Sequence, residues 1–155
     1  MRFKLSLIVL AMLAWASIGI AAASEQAARS AGAMKFQIQL IWGTNDPKSP
    51  DDKHKPVDAE VGKKLKALPL KWANYFLVNK KSLEVAPGGE KKEPISEKCA
   101  VEVQDKGKST FEISLFGKGE RVVKRSQTLH VGEMLVLGGN APNETSWLVV
   151  VKRIE

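Results

Sequence analysis

One thiol, Cys99, and two imidazoles, His54 and His130, are the groups best suited to nucleophilic or acid–base chemistry in this 155-residue chain. A cysteine nucleophile needs a neighbouring base to reach its thiolate form, and neither histidine belongs to a cysteine-enzyme signature. Cys99 alternates with Val101 and Val103 and is expected to behave as a small buried hydrophobe. One Cys and two distant His give no zinc spacing. Asn45, Asp46, Asp51 and Asp52 offer oxygen ligands, but without the alternation, central glycine and closing glutamate of a calcium loop. Their expected state is solvated, neutralised by Lys48, Lys53 and Lys55. Neither G-x-S-x-G nor H-E-x-x-H occurs. Gly138-Gly139 follows a strand pattern with no helix after it, which argues against a phosphate cradle. Asn143-Glu144-Thr145 matches a glycosylation acceptor and is read as coincidence. The expectation is therefore no catalytic residue, no metal and no cofactor. A small hydrolase built on spatially paired acids stays open as a third reading, although Glu102, Glu112 and Glu133 read as solvent-face residues of strands or turns.

Charge points elsewhere. The chain carries 24 Lys and Arg against 17 Asp and Glu, a net +7. Much of the excess consists of single lysines in loops and turns, a pattern that keeps β proteins soluble. Should they converge, Lys53, Lys55, Lys63, Lys64, Lys66, Lys80 and Lys81 would form a surface for an anionic lipid or polysaccharide. Trp42, Trp72, Phe76, Phe111 and Trp147 fall on apolar faces and are expected in the core rather than in a carbohydrate groove or a single-strand nucleic-acid platform.

The first 23 residues read as an address. Arg2 and Lys4 precede an apolar run over 5–14, and the small residues Ala21 and Ala23 suit a signal peptidase cutting before Ser24. Interruption by Ser17 and Gly19 disfavours a membrane span, which wants about 20 continuous apolar residues. Cleavage would lower the net charge from +7 to +5 and leave one ordinary domain, periplasmic or extracellular. With one cysteine that domain has no internal disulfide. Residues 24–33 are small and polar and read as a flexible leader.

The single β-rich domain is expected over 34–155. Met34, Phe36, Ile38, Leu40 and Trp42 alternate with mostly polar neighbours, predicting a strand over 34–42 with one buried face. A long loop over 43–56 follows. Val57, Val61, Leu65 and Leu68 share one side of a predicted helix over 57–68, with Lys63, Lys64 and Lys66 pointing away. Pro69 ends it. Further strands are predicted over 70–78, 83–86, 98–104, 110–116, 121–129, 134–137 and 147–151, with a turn at Lys80-Lys81-Ser82. Eight or so short strands with one amphipathic helix predict an antiparallel β-sandwich or a small barrel.

Two stretches also carry a resemblance. Leu65-x-x-Leu-Pro-Leu-Lys-Trp-x-x-Tyr-Phe-Leu, and Thr128-Leu-His-Val-Gly-Glu-x-Leu-Val-Leu-Gly-Gly with the later Trp147-Leu-Val-Val-Val, resemble small uncharacterised bacterial exported β-domain proteins. The resemblance covers most of 34–155 and implies a β-rich fold in an envelope or secreted setting. It carries no catalytic residue. The combined expectation is a non-catalytic binding or assembly module of the cell envelope, with an envelope protein or an anionic glycan or lipid as partner and no nucleic acid.

Overall fold

The computed structural model describes residues 32–141 and 145–155. The export segment 1–23, nearly all of the expected leader and Asn143-Glu144 lie outside the described residues. Within them the order is β1 (Met34–Thr44), β2 (Lys55–Pro56), α1 (Ala59–Ala67), β3 (Asn74–Val85), β4 (Glu90–Ser96), β5 (Cys99–Asp105), β6 (Thr110–Gly117), β7 (Glu120–Thr128), β8 (Met134–Asn140) and β9 (Ser146–Arg153). They form two open antiparallel sheets, β2-β3-β1-β9-β8 and β4-β5-β6-β7. The fold is thus a β-sandwich of nine strands and not a closed barrel.

The alternation of β1 turns Phe36, Ile38 and Leu40 toward the four-stranded sheet. They join Leu83, Val85, Val149 and Val151 of their own sheet and meet Ile95, Val101, Val103, Phe111 and Ile113 opposite. Phe36 and Phe111 lock edge to face with ring centroids 4.9 Å apart. The second face of β1, expected to be mostly polar, is also covered. Helix α1 lies across it, so that Val61 and Leu65 pack with Ile41, Trp72, Tyr75, Leu148 and Val150. Gln39 on that face is fully buried. Two stacked cores result, one between the sheets and one under the helix.

The predicted turn at Lys80-Lys81-Ser82 does not form, and β3 runs unbroken through it. Both lysines are tolerated in the strand because each finds a carboxylate: Lys80 meets Asp58 at 2.9 Å and Lys81 meets Glu93 at 3.0 Å. Opposite Leu40 and Ile41 the register skips one residue, since Leu40 pairs with Asn79 and Ile41 with Leu77. Val78 is the extra residue of this bulge. Strands β2 and β4 were not expected, since their residues (Lys-Pro; Glu-Lys-Lys-Glu-Pro-Ile-Ser) are charged and interrupted by proline, the character of edge strands. The tryptophans divide. Trp72 is 9% exposed in the helix-side core, whereas Trp147, expected inside, is 44% exposed.

Truncating Trp72 to Ala should therefore cost about 3–5 kcal/mol of unfolding free energy in a urea titration. A loss below about 0.5 kcal/mol, the range of surface substitutions, would remove Trp72 from the helix-side core.

Candidate functional site

The lysines proposed as an anion surface are only partly gathered. Lys63 and Lys66, one helical turn apart on α1, rim a cleft of about 510 Å³ that also includes Val57, Asp58, Asn74 and Tyr75. Tyr75 also lines it, and burial raises the pKa of its hydroxyl. Lys64 is exposed on the same helix, and Lys55 pairs with Leu77 at the sheet edge. Lys53 belongs to the 43–56 loop, where its backbone N–H donates to Asp51 Oδ1. Lys80 approaches α1 but is neutralised by Asp58. Lys81, one residue on, pairs with Ile38 and so takes the opposite face, against Glu93.

Asp58 joins the helix to the sheet. Its carboxylate accepts from Lys80 Nζ and from Gln39 Nε2 at 3.0 Å, instead of capping the helix it precedes. The Lys80 hydrogen bond, with help from Gln39 and the charges of Lys80 and Lys152, holds its pKa below the ordinary carboxylate value against the opposing effect of burial.

The other reactive groups are committed to structure. Cys99 is half-buried against the inter-sheet core, and burial pushes its thiol pKa up, away from the thiolate. Glu112 is held low by its hydrogen bond to Lys124. Glu133 accepts from the His130 backbone N–H. One contact went unseen in the sequence: Ser49 Oγ lies within hydrogen-bond reach of His54 Nδ1, inside the 43–56 loop. The two lie five positions apart and no motif marks them. Among the described residues no three His, Cys, Asp or Glu side chains gather as a metal site would require.

A different arrangement emerges from the strand register. Pro56 pairs with Phe76, Phe76 with Trp42, Trp42 with Trp147, and Trp147 with Gly139. Directly paired residues share a face. These five therefore form one row across the whole five-stranded sheet, one from each strand, on the face that carries Leu40 and Val149. The next row inward, Leu40, Val149 and Leu137, is buried under the second sheet, and the aromatic row lies at the margin of that cover. Trp42 and Phe76 are half-buried, and Trp147 leans on Trp42 with centroids 4.5 Å apart at 62°. The two glycines of β8 play opposite parts here. A Cβ on Gly138 would come within 2.5 Å of the Trp147 carbonyl oxygen, so only glycine lets the strands approach. Among the described residues a Cβ on Gly139 would meet nothing within 4 Å, which leaves an open shelf beside Trp147, its strand partner.

The geometry at Asp58 predicts a pH-dependent contribution. A lowered folded-state pKa stabilises the fold above the unfolded value near pH 4, and the benefit disappears as pH falls through the folded value. Because the pair is about half exposed, Asp58→Asn should cost only about 0.5–1 kcal/mol at neutral pH. The difference from the parent protein in urea should shrink toward zero well below pH 4. An equal difference at both pH values would assign the effect to packing instead. Compared with known proteins, the chain matches no family model, no curated protein and no solved structure.

Proposed function

We propose that this protein is an exported, non-catalytic binding module of the cell envelope, and that it captures a glycan on the aromatic row. The exposed Trp147, propped on Trp42 and bordered by the empty shelf of Gly139, carries the reading. A large aromatic ring left 44% exposed in a folded domain forgoes much of its burial free energy, and tryptophan is enriched at recognition interfaces. The flat face of its indole suits the apolar C–H face of a sugar ring. The Trp42 ring beneath fixes the orientation of the indole, which limits the entropy lost when a ligand lies against it. Export, read from the first 23 residues, would bring the row to envelope polysaccharide.

A second reading rests on the Lys63–Lys66 cleft, where the two lysines, with the Asp58 carboxylate already held by Lys80, would attract an anionic lipid headgroup or acidic polysaccharide. The two differ in their response to salt, because charge attraction between exposed groups is screened and ring stacking is not.

Titration with chitohexaose, followed by tryptophan fluorescence, separates them. Binding should persist at high salt, and Trp147→Ala should weaken it at least about tenfold, or 1.4 kcal/mol. The same substitution should cost less than about 1 kcal/mol of stability, since half of the side chain is already in water. Gly139→Val should fold normally and also weaken binding by filling the shelf. Retention of dextran sulfate alone, lost at high salt and on Lys63→Glu with Lys66→Glu, would replace the aromatic row with the cleft. Binding of neither probe would defeat both.

A further inference from the structure

Among the described residues each open sheet ends in two edges whose outward N–H and C=O groups lack a strand partner, and proteins usually guard such edges with charge, proline or bulges. Three of the four edges here are guarded. The β2–β3 edge carries Pro56, Lys80 and Lys81, and β4 carries Lys91, Lys92 and Pro94. Strand β7 carries Arg121, Lys124 and Arg125, and a bulge opposite Leu115 and Phe116 throws out Val122. Strand β8 is the exception. Its seven residues, Met-Leu-Val-Leu-Gly-Gly-Asn, include no charge and no proline, and β9 is its only strand partner among the described residues.

The hydrogen-bond phase of that edge is fixed. Arg153 N–H donates to the Glu133 carbonyl at one end of the pair, and Ala141 N–H donates to the Thr145 carbonyl at the other. In an antiparallel ladder the bonded positions alternate, so Leu135, Leu137 and Gly139 turn their backbone groups to β9. Met134, Val136, Gly138 and Asn140 therefore direct theirs outward along the free edge.

We propose that β8 is the strand through which two copies of this chain pair, antiparallel about a twofold axis, into one continuous sheet. Antiparallel self-pairing of a neutral strand places no like charges opposite one another, whereas the same pairing at β4 or β7 would set lysine or arginine strands side by side. A twofold contact also consumes the one unguarded edge of each copy, and the guarded edges left on the outside stop further growth. Pairing would further cover Met134, Leu135 and Val136, which a single copy leaves only half-buried.

Sedimentation of the purified chain across a concentration series, with amide exchange read residue by residue, tests this. The expected result is a dimer in which the amides of Met134, Val136, Gly138 and Asn140 slow at least about tenfold as concentration rises. Val136→Pro deletes an outward N–H and should be monomeric. Val136→Ala loses similar side-chain contacts but keeps that N–H and should remain dimeric. If Val136→Pro fails to fold, Met134→Pro, at the first strand position where proline is tolerated, serves in its place. A monomer with fast outward amides at every concentration would overturn the proposal, as would a dimer whose outward amides stay fast. Outward amides protected in the monomer, or protected only after an envelope extract is added, would assign the edge to another segment or another protein and equally overturn it.

Discussion

Strand β1 is hydrogen-bonded along both edges and buried on both faces, and the remaining elements are arranged to meet those demands. Its edges are taken by β3 and β9, one face by the second sheet and the other by α1. The cost of full cover is Gln39, a polar side chain at zero exposure whose Oε1 finds no partner among the described residues. An unmet buried acceptor costs about 1–3 kcal/mol. The amide nitrogen offsets part of this by donating to Gln37 and Asp58. Since Asp58 immediately precedes α1 and also holds Lys80, one polar cluster sets where the helix begins relative to the sheet. The apolar contacts of Val61 and Leu65 then hold it down.

This arrangement explains which parts of the molecule were legible in the sequence. Alternation marked β1 and β5, because each buries at least one face, and the four-residue spacing of Val57, Val61 and Leu65 marked the helix. Local pattern failed where a distant partner decides the outcome. Lys80 and Lys81 look like a turn until Asp58 and Glu93 neutralise them from elsewhere in the chain. Strand β4 looks like a loop because an edge strand needs few apolar residues. Trp147 lies in an unbroken apolar run on the same face as Val149 and Val151, and nothing local reveals that the second sheet stops short of it. The candidate site was invisible for the same reason, since a row of five residues from five strands exists only once strand order and register are known.

Register also ties the aromatic row to the bulge. With Val78 inserted, Phe76 faces the same way as Trp42; an unbulged β3 would turn Phe76 toward the helix and Leu77 toward the tryptophans. The same skip places Leu77 and Tyr75 beneath α1, where the cleft forms. A single extra residue thus serves both candidate surfaces, one on each face of the sheet. Gly138 makes the comparable contribution at the far end, allowing β8 to close on β9 beside Trp147.

The pairing of β1 with β9 has a temporal consequence. Phe36 lies opposite Arg153, so the central ladder of the larger sheet joins segments separated by on the order of a hundred residues. Such non-local closure is slow, commonly milliseconds to seconds. Before β9 emerges from the ribosome, β1 has only β3 beside it, and the inter-sheet core lacks Val149 and Val151. A nascent chain at that stage has not yet closed its central ladder. Under the proposed export, that late closure of the central ladder would favour passage through a translocation pore before folding.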